Sequence, residues 1–165
     1  MSACVRVTVL GCGSSGGVPR VGNEWGACDP HDPRNRRMRC SLLIERYEGI
    51  YSHETSTVVL IDTSPDLREQ MLAAHVSHIE ALLYTHDHAD QSHGIDDLRA
   101  LVYNQRRRIP TYMDKATASS LLVRFGYIFQ TPEGSHYPAL LDYFPMPKLG
   151  DCVSITGPGG TLDLQ

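Results

Sequence analysis

The chain has 165 residues, 41% of them hydrophobic, and a formal charge of −4 from 15 Lys and Arg against 19 Asp and Glu. That is enough apolar content for one globular domain with a real core, and the acidic balance argues against nucleic acid as the main partner. No apolar run approaches the roughly 20 residues that cross a bilayer, and the N-terminus lacks the order of a signal peptide, so a cytoplasmic protein with no membrane partner is expected.

Val5-Arg6-Val7-Thr8-Val9-Leu10 sets three valines on one face and reads as a half-buried strand. The run Gly11-Cys12-Gly13-Ser14-Ser15-Gly16-Gly17 follows and formally satisfies G-x-G-x-x-G. A dinucleotide site needs a helix to begin inside that loop. Here Pro19, Gly22, Gly26, Pro30 and Pro33 follow with no helical period, and no Lys-Ser or Lys-Thr completes a P-loop. What remains is a flexible loop whose backbone amides can approach a metal or an anion. Residues 18–39 are polar and turn-rich and carry Arg34, Arg36, Arg37 and Arg39. A solvated loop is the default reading, and a phosphate-steering patch the sharper one, because guanidinium forks match phosphate oxygens.

Strand character resumes at Cys40-Ser41-Leu42-Leu43-Ile44-Glu45, and 47–57 reads as an exposed connection. Val58 to Ile61 is a buried strand ending at Asp62, after which Ser64-Pro65-Asp66 supplies a cap, a first-turn proline and an acid for a helix to about Ala74. Turn chemistry accounts for Asp62 about as well as a site role does. Ile79 to Tyr84 is the next strand, Gly94 to Gln105 a helix, Pro110 to Met113 a short strand, and Lys115 to Phe125 a helix with Leu121, Leu122 and Phe125 on its apolar side. Arg106-Arg107-Arg108 reads as a solvated helix end. Asp151 to Thr156 forms a last strand. This alternation is α/β, and with no internal repeat or low-complexity linker 1–165 is one domain.

The chemistry concentrates in Tyr84-Thr85-His86-Asp87-His88-Ala89-Asp90. If extended geometry persists past Thr85, residues two apart point the same way and His86, His88 and Asp90 converge. Neutral imidazole and carboxylate oxygen suit zinc, manganese or divalent iron. Solvated or structural histidines are the bland alternative in a chain with eight of them. The five cysteines, Cys4, Cys12, Cys28, Cys40 and Cys152, are scattered and include no Cys-x-x-Cys pair, so most of them read as reduced and buried.

Thr85-His86-Asp87-His88-Ala89-Asp90 with Gly94 resembles the T-H-x-H-x-D-H-x-x-G signature of the metallo-β-lactamase-fold hydrolases. Gly16-Gly17-Val18-Pro19, Trp25-Gly26, Cys28 and Arg39-Cys40-Ser41 are similar to the phosphonate-pathway cyclic-phosphate phosphodiesterases. The resemblance spans most of residues 5–113. It implies an αβ/βα sandwich, one or two divalent metal ions (zinc or manganese), and a small-molecule phosphodiester substrate hydrolysed by a metal-activated water. Carried over by position, His86 and His88 hold the first metal, and Asp90 binds the second and orients the nucleophile. Gly16, Gly17 and Arg39 receive substrate.

Three departures accompany the likeness. Gln91 stands where the family has a further histidine, so the second site is loose, uses Gln91, or recruits His93. Only Cys28 remains of a zinc-binding cysteine cluster. Nothing after Gly94 matches the family's C-terminal ligands, which implies a domain shortened at its C-terminal side. An apolar sheet face is then left open to a second copy or to the missing half. Another hydrolase of this fold, acting on a thioester, lactone or RNA end, or a non-catalytic carrier, would share the same loop.

Overall fold

A computed structural model describes residues 2–165. Its centre is a six-stranded sheet in chain order: β1 (Ala3–Gly11), β2 (Ser41–Glu48), β3 (Thr57–Ile61), β4 (Ala81–Leu83), β5 (Ile109–Met113) and β6 (Leu141–Pro145). β2 runs antiparallel to both β1 and β3, and β3 to β6 run parallel. A separate hairpin closes the chain, β7 (Val153–Gly157) with β8 (Gly160–Leu164). Five helices lie between strands: α1 (Leu67–Ala73), α2 (Ala89–Ser92), α3 (Leu98–Gln105), α4 (Lys115–Arg124) and α5 (Gly126–Phe129).

One sheet face carries the main core. Leu43, Val58, Leu60 and Leu82 pack with Leu67 and Met71 of α1, Leu98 and Leu101 of α3, Leu121 of α4 and Ile128 of α5. Leu60 and Leu82 are register partners and fully buried, and each such side chain contributes about 1.5–3 kcal/mol by leaving water. The other face is covered by the hairpin, whose Val153, Ile155 and Leu162 meet Val59 and Ala81.

That cover stops short of the edge strand. Val5, Val7 and Val9 stay 57–59% exposed, so the half-buried strand expected there is a strand with its apolar face in water. The alternation identified the strand correctly. Which face is buried depends on what lies opposite, and the hairpin's apolar cluster draws on β2 to β5 and includes no residue of β1.

Caps and glycines fix the connections. Asp114 accepts the Thr117 N–H at 2.7 Å and opens α4. Ser64 Oγ accepts the Asp66 N–H, and α1 begins one residue later, close to the expected start. Arg106 ends α3 in a left-handed conformation. Of its basic neighbours, Arg107 donates to Glu80 and Arg108 to Asp142, so this run is paired with acids and not merely solvated. Leu122, expected on the apolar side of α4, is partly exposed, while Leu121 is fully buried. In the 47–57 connection Tyr51 and His53 fold back onto the buried carboxylate of Glu45, so that segment is partly packed.

Among the described residues no helix is long and apolar enough to cross a membrane.

Candidate metal centre

The site lies where β3 and β4, two parallel neighbours, end side by side, the usual position for ligand loops in parallel sheets. β3 runs into Asp62 and Thr63, and β4 into Tyr84, Thr85 and His86. Two buried side chains tie these ends together: the Thr63 and Tyr84 hydroxyls share a 2.6 Å hydrogen bond. Thr63 also donates its N–H to the Gln91 carbonyl at 2.7 Å, and its carbonyl accepts the Gly94 N–H at 2.9 Å. The histidine loop is thus clamped at both ends onto one residue of the neighbouring strand.

Asp62 orients the loop's first histidine. Its carboxylate accepts the Thr85 N–H at 2.8 Å and the Thr85 hydroxyl at 2.7 Å. Thr85 has one hydroxyl proton, and with that given to Asp62 its oxygen accepts from His86 Nδ1, 2.9 Å away. His86 therefore carries its proton on Nδ1 and has Nε2 as the lone-pair nitrogen, the arrangement in which imidazoles ligate metals. Burial pushes the Asp62 carboxyl up, while the two Thr85 hydrogen bonds and His86 draw it down. Asp62 has a φ of 60°, which aims the carboxylate across the strand gap. Sequence alone could not choose this role over turn chemistry, because the partner is 23 positions away.

His86 and His88 come together, with ring centroids 4.5 Å apart and planes at 72°. Asp90 and Gln91 are not in an extended continuation. β4 stops at Leu83, His88 is the N-terminal flank of α2, and Asp90 and Gln91 lie within that short helix. The alternation expected to bring Asp90 beside the two imidazoles is therefore broken. Its charge acts on Arg39 and on Asp62. His93, the alternative ligand, packs its ring edge-on against Phe125 at 5.7 Å.

The donors fit a divalent ion in kind. Two imidazoles lie side by side, and Gln91, three residues past His88, is buried with a side-chain oxygen Oε1 that has no hydrogen-bond partner. An orphaned amide oxygen is costly unless something meets it, and a cation is one such partner. Among the described residues, no group of three or more His, Cys, Asp or Glu side chains gathers closely enough to hold an ion.

Arg39 borders the site but is engaged. Its Nε and Nη2 fork onto Asp66 at 2.9 and 2.5 Å, and its backbone N–H donates to the same carboxylate. This pairing holds the Asp66 carboxyl below the usual range. Gln70, also buried, donates to the Arg39 carbonyl at 2.7 Å. Gly16, Gly17, Arg36, Arg37, Arg39 and Asp66 line a cavity of about 260 Å³. The glycine loop is less bare than expected, because the Gly13 and Gly17 amides are spent on the Met38 and Ser14 carbonyls. None of the five cysteines is buried, contrary to expectation: Cys4, Cys12, Cys40 and Cys152 are exposed and Cys28 is intermediate.

A family model described as a beta-lactamase superfamily domain matches residues 57–155. The chain is 36% identical over 126 residues to an octanoyltransferase of Porphyromonas gingivalis (strain ATCC BAA-308 / W83), a match covering 76% of this chain and 24% of that protein. It is similar to the crystal structure of a new diphosphatase from the PhnP family, with a TM-score of 0.73 and 34% identity over 94% of this chain and 55% of that one. The Zn(2+)-bound PqqB from Methylobacterium extorquens shares the fold at a TM-score of 0.59 and 21% identity, over 89% of this chain and 47% of that one. The chain thus spans about half the length of these solved relatives and a quarter of the curated one.

Proposed function

The chain belongs to the beta-lactamase superfamily and carries the metallo-β-lactamase fold, and from that premise we propose that it is a metal-dependent hydrolase acting on small phosphodiesters. The observation that carries this reading is the Asp62–Thr85–His86 chain of hydrogen bonds, which leaves His86 Nε2 free for ligation beside the His88 ring. The diphosphatase likeness supports phosphorus chemistry, since it extends over nearly the whole chain. The octanoyltransferase match concerns only a quarter of that protein and carries less.

His86 and His88 would hold the first of one or two divalent ions, zinc or manganese by donor type, with Asp90 and the orphaned Gln91 Oε1 toward a second. A cation held there supplies Lewis acidity and a water that ionises near neutral pH. Asp90 would accept a hydrogen bond from the attacking water and orient it toward phosphorus. Arg36 and Arg37, lining the cavity with Gly16 and Gly17, favour an anionic substrate. Arg39 has Nη1 left to offer an anion while Asp66 retains its fork.

The test pairs metal content with turnover. The purified chain is loaded with zinc or manganese, assayed for bound metal by elemental analysis, and offered a cyclic phosphate, an aryl phosphodiester, a P–O–P diester and a thioester. The reading expects near-stoichiometric metal, lost in His88→Ala, and hydrolysis confined to the phosphorus substrates. Full metal content in His88→Ala, or turnover of the thioester alone, would overturn it.

A further inference from the structure

Two exposed cysteines lie on adjoining segments beside this site. Gly11 of β1 pairs with Ser41 of β2 after a register irregularity, and beyond the strand ends Gly13 makes an isolated parallel bridge with Arg39. These two pairs bracket Cys12 and Cys40 on adjoining segments. Gly11 and Ser41 are buried, whereas both cysteines are exposed. A disulfide needs Cβ atoms about 3.5–4.5 Å apart, and the movement that brings these two together is that of the glycine loop against the start of β2.

Arg37 distinguishes this pair from the other cysteines. Its Nη1 donates to Cys12 Sγ across 3.1 Å. A guanidinium in contact with sulfur is the setting in which a thiol attacks, because the cation stabilises charge on the sulfur. The Cys40 thiol is pushed up, first by the partial burial of its sulfur and then by Asp62, Asp90 and Cys12.

We infer that Cys12 and Cys40 are a peroxide-sensitive thiol pair that closes into an intramolecular disulfide at the rim of the candidate metal centre. The Cys12 sulfur attacks hydrogen peroxide and the O–O bond breaks. One oxygen stays on sulfur as a sulfenic acid, and the other leaves as water with the thiol proton. The Cys40 sulfur then attacks the Cys12 sulfur, the S–O bond breaks, and the hydroxyl leaves as water with the Cys40 proton. The two thiols give up two electrons, and the peroxide takes them in becoming two waters. The bond ties the glycine loop to the start of β2, beside the segment that Asp66 and Gln70 hold through Arg39.

The experiment uses reduced, metal-free protein, so its outcome is independent of the hydrolase reading. The chain is treated with one equivalent of hydrogen peroxide, alkylated, digested and analysed by mass spectrometry. The expected product is a Cys12–Cys40 linked peptide with Cys4, Cys28 and Cys152 still alkylated. Cys40→Ser should halt at a sulfenic acid on Cys12, trapped by dimedone, and Arg37→Ala should slow linkage roughly threefold or more. Equal oxidation of all five cysteines, or linkage at the wild-type rate in Arg37→Ala, would overturn the inference.

Discussion

The Asp62 carboxylate receives both the backbone N–H and the hydroxyl of Thr85, at 2.8 and 2.7 Å, and so joins the end of β3 to the first residue of the histidine loop. Asp62→Ala leaves the Thr85 N–H unpaired and frees the hydroxyl that fixes His86. The expected cost is about 1–3 kcal/mol in stability and a loss of roughly 10–100-fold in metal affinity. Thermal melts and zinc titration calorimetry measure the two separately. Unchanged zinc affinity in a folded Asp62→Ala protein would remove the carboxylate from the site.

The Arg39–Asp66 pair predicts a pH dependence. Arg39, hydrogen-bonding through its guanidinium and its backbone amide, holds the Asp66 carboxyl below its ordinary value. A carboxyl whose pKa is depressed by folding stabilises the protein above its unfolded pKa, about 4. That contribution is lost as pH falls through the lower, folded value. The gap in Tm between wild type and Asp66→Asn should stay level above about pH 5 and close below about pH 4. Melts at constant ionic strength show whether it does.

Gly94 has no room for a side chain. A Cβ there would sit 2.0 Å from the Ser64 carbonyl oxygen and 2.8 Å from Leu67 Cβ, both in the packed segment leading into α1. Gly94→Ala must push α2 and its flank away from Thr63, which its N–H now contacts. A cost of about 2–3 kcal/mol corresponds to a fall of roughly 4–12 °C in Tm for a domain of this size. Scanning calorimetry on the metal-free protein reads the effect directly.

Gln91 separates a ligand from a buried liability. With Oε1 unpartnered, its amide weakens the metal-free fold. Gln91→Met, close in shape, should therefore melt at or above the wild-type temperature without metal, yet bind the second equivalent of zinc or manganese more weakly. Equal metal binding alongside the raised melting temperature would make Gln91 a packing residue alone.

The histidine loop was legible because ligation is a property of residue type and close spacing, both visible in Thr85 to Asp90. Most strands were legible too, since alternation and apolar runs mark them in β1 to β5 and β7. β6 was missed because Asp142 and Pro145 interrupt its apolar character, and it holds its place by pairing with β5. β8, a glycine-led strand, owes its existence to β7 beside it. The short α2 escaped because a four-residue helix has no period to detect.

The sequence by itself determined the chemistry available: imidazoles, a carboxylate and an amide delivered just past an apolar strand, in an α/β order. Tertiary structure decided which of them act together. Asp62 is set on Thr85 across the gap between two parallel strands, Arg39 is turned onto Asp66, and the segments carrying Cys12 and Cys40 are brought side by side. Those pairings span 23 to 28 positions of chain. Local pattern carries no information about such distances, because they are set by how β-strands stack side by side to bury one common core.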